Sequence, residues 1–306
     1  MTKPLKAVYC YYFPEVRKII DEATSSYPHE IFLKSVNPGL DDFHHKALDA
    51  YIKHFKYELP DLNSFPFKYV SGGASESIFH LLSYIKANRP DTPLYVLKGE
   101  YEGYAGYGSN LGLRFTIVND LLDLLTLPKG ILFLSNPSAR DGNIIPDSEI
   151  LKVADSGQQI IYDATYVGLT DPHRFELGHP NIIAVIVSLS KPFGLYYYRI
   201  GFTFSRFEIK TLEVNKWFKN ILSLIIAEKV LNQIDSKKLV NQYRVLQKKA
   251  VSQMNSDLGL DAKPSQVVLL AHSNQESNPS MEIYNRGSNY RFCLTPYYLI
   301  KERGYI

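Results

Sequence analysis

The chain of 306 residues is 45% hydrophobic and 21% charged with a formal net charge of +3, which is typical of a globular protein of one or two domains and gives no indication of nucleic acid binding. Cys10 and Cys293 are the only cysteines, too few for a disulfide framework, so a reducing cytosol is expected. The N-terminus is polar and interrupted by proline, unlike a signal peptide, and no apolar run reaches the roughly 18 residues of a membrane span.

The first 90 residues predict an arm, two helices and one strand. Residues 1–40 contain several proline and glycine breakers, so an irregular N-terminal arm is expected there. Residues 42–56 predict a helix. The stretch FKYVSGGASESIFHLLSYIKANRP, residues 67–90, predicts a short strand, a glycine turn and a helix with Ser75 as its N-cap. Its apolar positions follow the helical period: Ile78, Leu81, Leu82 and Ile85.

Short apolar runs then recur along the chain. Runs of this length fit strands that are buried on both faces. They are Leu94–Leu97, Ile131–Leu134, Ile160–Tyr162, Ile183–Val187 and Phe202–Phe204. Because helical or loop segments separate them, a layered α/β sheet is predicted. A long helical stretch without proline or glycine is expected over Phe207–Asp257, and short strands follow it in a smaller C-terminal domain.

Polar side chains stand where several of these strands are expected to end. They are Ser135, Asn136, Asp163, Ser188, Ser190 and Lys191. In open α/β sheets, ligands bind beyond the carboxyl ends of the strands. These separate stretches are therefore predicted to converge on one site.

Each of these pieces also has a purely structural explanation. A lone lysine is most often a solvated surface charge, but a buried Lys191 would lose proton affinity and become a nucleophile able to form a Schiff base. Asp163 could cap a helix or hold a cationic ring nitrogen. SGGASES, residues 71–77, could be a tight turn or an anion cradle at a helix N-terminus. EYEGYAGYGSNLG, residues 100–112, could be a loop or an aromatic platform.

Other sites have little support in the sequence. The glycine-rich segment after residue 100 contains G-x-G but not the dinucleotide fingerprint G-x-G-x-x-G. The G-x-S-x-G turn of α/β-hydrolases is missing. The eight histidines show no metal-binding spacing, so no metal site is predicted.

The segment SLSKPFGLYYYRIGF, residues 188–202, resembles the lysine segment of fold-type I, pyridoxal-phosphate-dependent aminotransferases of classes I and II. That pattern is Ser-x-Ser-Lys-x-x-Gly-Leu followed by Arg and Gly. Four further segments resemble family motifs, in the family's order: GGASESI (72–78), SNPSARDGNIIP (135–146), YDATYVGL (162–169) and YRFCL (290–294). The resemblance extends from about residue 40 to the end, and five motifs in order make it specific.

The resemblance implies a three-layer α/β fold with a mostly parallel sheet and a reduced C-terminal α+β domain. The expected division is an N-terminal arm over residues 1–40, a large cofactor-binding domain over 41–206, and an interdomain helix with the small domain over 207–306. The implied cofactor is pyridoxal 5'-phosphate. The implied substrates are an amino acid and a 2-oxo acid, and a cytoplasmic homodimer is expected, without nucleic acid or membrane partners.

The resemblance also assigns roles to single residues. Lys191 would carry the cofactor as a Schiff base and move the α-proton of the substrate. Asp163 would keep the ring nitrogen protonated, and Arg291 would bind the substrate carboxylate bidentately. The implied phosphate ligands are Gly73, Ala74, Ser75, Ser188, Ser190 and Arg199. The residues implied to contact the ring are Tyr101, by stacking, and Tyr166, by a hydrogen bond to the ring hydroxyl.

The sequence departs from the family pattern at some of these positions. Ala139 stands where the family usually has the asparagine that binds the ring hydroxyl, and Asn136 is the nearest remaining candidate for that role. Tyr196 and Tyr197 replace small residues. The reaction class therefore stays open between transamination and a specialised decarboxylase or lyase, and a non-catalytic binding module is a third alternative.

Overall fold

The computed structural model describes residues 2–8, 11, 13–25, 40–215, 219–274 and 279–302. The α-helices are α1 Pro14–Ser25, α2 Leu40–His54, α3 Ala74–Asn88, α4 Gly103–Asn110, α5 Asp147–Asp155, α6 Lys210–Asn215, α7 Ile221–Gln233, α8 Ser236–Leu258 and α9 Thr295–Glu302. The strands are β1 Phe67–Ser71, β2 Leu94–Leu97, β3 Phe115–Val118, β4 Ile131–Ser135, β5 Gln159–Asp163, β6 Ile182–Ser188, β7 Gly201–Ser205, β8 Lys263–Pro264, β9 Leu270–Ser273, β10 Asn285–Arg286 and β11 Asn289–Cys293.

The larger sheet has seven strands in the order β1-β7-β6-β5-β4-β2-β3. Strand β7 is antiparallel to both of its neighbours, β1 and β6, whereas the other pairs are parallel. The carboxyl ends of β1, β2, β4, β5 and β6 therefore meet at one edge of the sheet. Because β7 runs the opposite way, its amino end lies at that same edge.

The apolar runs form strands because both faces of the sheet are covered. In β4, Leu132 and Leu134 belong to one hydrophobic cluster, whereas Ile131 and Phe133 belong to a second cluster. Successive side chains of a strand point to opposite faces, so each of the two clusters covers one face. The three-layer mostly parallel sheet predicted from the sequence is confirmed. Strand β3 was not predicted, because at the sheet edge its Ile117 is exposed.

The prediction that residues 1–40 are irregular is wrong, since Pro14–Ser25 form helix α1. Pro14 occupies its first turn, where a missing N–H costs nothing. Its buried residues are Val16, Ile19, Ile20 and Ala23, which is the spacing of one helical face. Before α1, Leu5 pairs with Cys293 of β11 in an antiparallel bridge. Residues 2–8, which we call the N-terminal strap, therefore lie beside the smaller sheet.

The long helical stretch expected over Phe207–Asp257 is divided into α6, α7 and α8. Polar N-caps mark the later starts, because the side chain of Asn220 accepts from the N–H groups of Leu222 and Ser223, and that of Asp235 accepts from Lys238. A helix can thus end and restart without proline or glycine. Helix α8 is the long helix of this region and ends at Gly259 in the left-handed conformation.

The smaller sheet is antiparallel, with the strand order β10-β11-β9-β8. It brings Arg286 and Arg291 to neighbouring strands, since Arg286 pairs with Asn289 and Arg291 with His272. The short C-terminal strands expected from the sequence are present. The exact domain boundaries remain predictions. Within the described residues, no helix combines the length and the apolarity that a membrane crossing requires.

Candidate active site

A cavity of about 480 Å³ opens at the carboxyl edge of the seven-stranded sheet. Its lining includes ten of the twelve residues predicted to form a site: Ala74, Ser75, Tyr101, Asp163, Tyr166, Ser188, Ser190, Lys191, Arg199 and Arg291. The strand ends thus converge as the sequence analysis expected. The two ends of the cavity differ in composition.

One end of the cavity lies at the N-terminus of helix α3. Arg199 precedes the antiparallel strand β7 and so reaches this edge, where its Nη2 donates to the Ser75 hydroxyl at 2.9 Å. Ser188, at the end of β6, accepts the N–H of Ser190 at 3.1 Å. Ser75 does not cap the helix as predicted, because the N-cap position is Gly73. The free N–H groups of a helix start, two hydroxyls and a guanidinium are together suited to an anion, and we call this end of the cavity the anion-binding end.

Two glycines keep the backbone close at this end. Gly73 has φ 97° and ψ 177°, a conformation almost restricted to glycine, and a Cβ there would lie 3.2 Å from Arg199 Nη2 and 3.5 Å from Ser188 Oγ. A Cβ on Gly201 would approach the Val187 carbonyl oxygen to 2.4 Å and the Gly73 Cα to 2.8 Å. The anion-binding end is therefore shaped by backbone that a larger residue would displace.

The centre of the cavity is acidic. Asp163 ends β5 and is 5% exposed. The Tyr104 hydroxyl donates to its Oδ2 at 2.8 Å, and the Thr165 N–H donates to its Oδ1 at 3.0 Å. Burial raises the pKa of Asp163, although the hydrogen bonds from Thr165 and Tyr104 oppose that shift. A cation placed against this carboxylate would offset the cost of its burial.

Lys191 follows β6 and is half-buried in the cavity wall. Its Nζ donates to the backbone carbonyl of Val8 in the N-terminal strap. Ser190, directly before it, is buried, and Gly194 follows in a left-handed turn with φ 70°. The lysine is therefore held within the cavity and does not extend from the surface, as the surface-charge explanation would require.

The opposite end of the cavity is cationic. Arg291 is 4% exposed and donates to the carbonyl oxygens of Ala139 and Lys6, the latter at 2.9 Å. Its Nε is buried without a hydrogen-bond partner in the described part of the chain. Nearby, Arg286 is also buried and forms an ion pair with Glu102. A buried guanidinium with a donor to spare can bind a carboxylate.

Aromatic side chains line the space between the two ends. Tyr101 is 39% exposed, and burial of much of its ring raises the pKa of its hydroxyl to about 12. Its ring meets Tyr104 edge to face, with centroids 5.5 Å apart. Tyr166 is buried, which raises the pKa of its hydroxyl well above the usual value. Both tyrosines are thus protonated hydrogen-bond donors at neutral pH.

Two predicted residues lie outside the cavity lining. Gly73 contributes to the anion-binding end through its backbone alone. The role expected for Asn136 is not supported by its geometry, because its side chain pairs with the backbone of Ile145, accepting at 2.9 Å and donating at 3.1 Å. Asn136 is fully buried and fastens the loop after β4. Neither it nor Ala139 presents a side-chain amide to the cavity.

Several residues of the site were not predicted from the sequence. Tyr104 was part of a segment expected to be a loop or platform, yet that segment forms helix α4, whose buried face carries Tyr104 to Asp163. The lining residues found only in the structure are Lys6, Ala7, Val8, Glu102, Tyr104, Thr165 and Arg286. Thr165 lies within the motif YDATY, so the sequence contained a signal for it. The N-terminal strap reaches the site by a long-range contact, which no local sequence pattern predicts.

The arrangement as a whole has a definite chemical capacity. It offers an anion-binding end, a buried carboxylate suited to a cationic ring nitrogen, a lysine amine and a guanidinium suited to a carboxylate. A lysine near such groups can act as a nucleophile and as a general base. Across the described ranges, no group of three or more His, Cys, Asp or Glu side chains is placed to hold a metal ion.

Comparison with known proteins agrees with this geometry. The family model described as aminotransferase class I and II matches residues 69–260. Histidinol-phosphate aminotransferase from Caldanaerobacter subterraneus subsp. tengcongensis is 30% identical over 216 residues, which are 63% of this chain and 60% of that protein. The matched part is thus less than two thirds of the relative's length.

Two solved structures share the fold. The histidinol-phosphate aminotransferase from Sinorhizobium meliloti in complex with pyridoxal-5'-phosphate has a TM-score of 0.70 at 16% identity, covering 99% of this chain and 91% of that one. The PLP-bound C-S lyase from Staphylococcus hominis has a TM-score of 0.71 at 13% identity, covering 98% and 88%. At these identities the likeness supports the fold alone.

Proposed function

The chain belongs to the class I and II aminotransferases, and from that premise we propose that it uses pyridoxal 5'-phosphate to move an amino group between an amino acid and a 2-oxo acid. The observation that carries this proposal is the shared cavity of Lys191, Asp163 and Arg199. Three separate strand ends supply a nucleophilic amine, a buried carboxylate and an anion-binding guanidinium. That combination matches the reactive aldehyde, the ring nitrogen and the phosphate of the cofactor.

The residues present fit this cofactor. Its phosphate would lie against the start of α3, where Ser75 and Arg199 are joined at 2.9 Å and Gly73 leaves no side chain in the way. Its protonated ring nitrogen would pair with Asp163. This cation would offset the cost of burying the Asp163 carboxylate. When bound, the cofactor supplies the electron sink that stabilises negative charge at the substrate Cα.

The chain's own residues then perform the remaining tasks. Lys191 holds the cofactor and moves a proton at the substrate Cα. Arg291 lines the opposite end of the cavity and binds the substrate carboxylate through its guanidinium. Tyr104 and Thr165 orient Asp163 through their hydrogen bonds. Tyr101 and Tyr166 form walls that exclude water and so strengthen the charged contacts.

The direct test mixes the purified protein and cofactor with single amino acids and either 2-oxoglutarate or pyruvate. Mass spectrometry then identifies all products. We expect one amino acid to become its 2-oxo acid while the added 2-oxo acid gains the amino group. Release of carbon dioxide or loss of a side-chain group without amino transfer would refute transamination.

A specialised lyase or decarboxylase is the second candidate. It is favoured by the absence of a side-chain amide at Ala139 and by the turn of Asn136 towards Ile145. Without an amide, the ring hydroxyl would have Tyr166 as its side-chain partner, which changes the electronic setting of the cofactor. The product analysis described above separates this candidate from transamination.

We also infer a homodimer in the cytoplasm. Tyr196 and Tyr197 are 49% and 83% exposed at the rim of the cavity, close to Lys191, and exposed aromatic residues beside a site are typical of a protein contact. A second copy that covered them would also close the cavity. The low cysteine content supports a reducing compartment. Light scattering tests the dimer, and a fully active monomer would exclude it.

A further inference from the structure

Glu100 is a buried carboxylate that the proposed reaction leaves without a role. It lies between β2 and Tyr101 and is 4% exposed. Its two oxygens accept the Ser135 hydroxyl at 2.9 and 2.7 Å, and one of them also accepts the Tyr101 N–H at 3.2 Å. A buried acid with these partners requires an explanation, because glutamate is rarely buried to this extent.

The Ser135 hydroxyl extends this contact towards the substrate end of the cavity. Its oxygen accepts the N–H of Ala139 at 2.6 Å, and the carbonyl oxygen of Ala139 accepts Arg291 Nη1. A continuous series of hydrogen bonds therefore joins Glu100 to Arg291 through Ser135 and Ala139. Asn136 secures the same loop from its other side by pairing with Ile145.

The series depends on an acceptor at position 100. A serine hydroxyl has a single proton, which it gives to Glu100 while its lone pair receives the Ala139 N–H. Glutamine at position 100 would keep one oxygen for the Ser135 hydroxyl and the Tyr101 N–H, because Oε2 of the glutamate already accepts both. It would remove the negative charge that strengthens these two bonds. Its NH2 group would take the place of Oε1, 2.9 Å from Ser135 Oγ, and would compete there with the Ala139 N–H, so the loop carrying Ala139 would shift.

Ionisation of Glu100 in its buried position lowers the stability of the fold. Burial raises the pKa of Glu100 to about 7, although the hydrogen bonds from Ser135 and Tyr101 and the charge of Arg140 oppose the shift, and the charge of Asp163 adds to it. A raised folded-state pKa means that stability declines as pH increases from the ordinary glutamate value through about 7. Residues that are present although they lower the stability of the fold are typical of functional sites.

We propose that Glu100 is a positioning residue that, through Ser135 and Ala139, sets the orientation of Arg291 for the substrate carboxylate. The proposal rests on the proposed function, because it assigns Arg291 to a carboxylate. It adds a determinant of substrate affinity that touches neither the substrate nor the cofactor. Tyr101, whose N–H is fixed by the same carboxylate, is held together with Arg291.

The first test compares Glu100→Gln, Ser135→Ala and the double variant as cofactor-loaded enzymes. We expect each single change to raise KM for the amino acid and for the 2-oxo acid by about tenfold, with kcat within about twofold and cofactor affinity unchanged. The double variant is expected to be no worse than either single variant, since both break one series. Glu149→Gln, on the exposed face of α5, is the matched control.

The second test needs no activity. Unfolding of the cofactor-free protein by urea is followed from pH 5 to pH 8. We expect the stability of Glu100→Gln relative to the parent to increase with pH over this window, because only the parent must ionise a buried acid. Glu149→Gln should show no such trend.

The outcomes distinguish the two proposals. Unchanged KM values in Glu100→Gln or additive effects in the double variant would each overturn the role of Glu100 while leaving transamination intact. A parent protein that converts no amino acid would overturn the proposed function and this role together.

Discussion

The two ends of the cavity are built from different parts of the fold. The anion-binding end and the acidic centre use strand ends of one seven-stranded sheet, at β1, β5, β6 and β7. The opposite, cationic end uses three unrelated pieces, which are the N-terminal strap, the loop after β4 and strand β11 of the small sheet. Sequence motifs predicted the first end of the cavity in detail, whereas at the second end they predicted only Arg291.

This difference has a physical cause. Neighbouring strands are fixed to each other by a ladder of hydrogen bonds, so residues at their ends keep a constant spacing. Arg291, in contrast, is oriented by the carbonyl oxygens of Lys6 and Ala139, each on a separate segment. We therefore expect the sheet end to tolerate few substitutions. At the other end, changes in the segments that carry Lys6 and Ala139 can alter the orientation of Arg291.

We expect the largest loss of activity from Asp163→Asn, at the sheet end of the cavity. A neutral amide cannot stabilise a protonated ring nitrogen, so we expect kcat to decrease at least about 100-fold, about 2.7 kcal/mol, with cofactor still bound. Steady-state kinetics and cofactor absorbance measure the two effects separately. Asp91→Asn, an exposed aspartate away from the cavity, is the control. A variant as active as the parent would remove Asp163 from the mechanism.

The corresponding change at the other end is Arg291→Lys. Lysine cannot reproduce the planar fork that binds a carboxylate, so we expect KM to increase about 30-fold for the amino acid and the 2-oxo acid alike. Cofactor affinity should stay constant, because the proposed phosphate ligands, Ser75 and Arg199, lie at the other end of the cavity. Arg114→Lys, on an exposed loop, serves as the control.

If both KM values were unchanged in Arg291→Lys, Arg291 would not be the carboxylate anchor. Either Arg286, which lines the same end, would bind the carboxylate, or the substrate would be an amine without one. In both cases the proposed role of Arg291 would be lost.

A smaller effect is expected from Gly73→Ala. The backbone conformation at Gly73 is strained for alanine, and the new Cβ would lie 3.2 Å from Arg199 Nη2. We expect the dissociation constant for the cofactor to increase about tenfold, measured by absorbance titration. Gly106→Ala on helix α4 is the matched control, since its Cβ would meet nothing within 4 Å. Equal affinities would show that the phosphate lies elsewhere.

The sequence predicted the seven-stranded sheet better than the segments outside it. The buried runs predicted β2, β4, β5, β6 and β7, because a sheet covered on both faces requires continuous apolar residues. Helix α1 was missed because Pro14 was taken as a breaker, although proline is favoured in a first turn.

The errors in the site arose from contacts between distant segments. Tyr104 reaches Asp163 only once the 100–112 segment folds as a helix. Asn136 was expected to face the cavity, but its side-chain amide pairs with the backbone of Ile145, nine residues further along the chain. The approach of Val8 and Lys6 to Lys191 and Arg291 depends on an antiparallel bridge between Leu5 and Cys293. No local pattern encodes such pairings.

We propose Lys191 as the covalent attachment point of the cofactor at the sheet end of the cavity. Borohydride reduction of the cofactor-loaded protein, followed by proteolysis and mass mapping, tests it most directly. We predict a single stable adduct, on the peptide that contains Lys191. An adduct on any other lysine, or no adduct with cofactor in excess, would contradict the account.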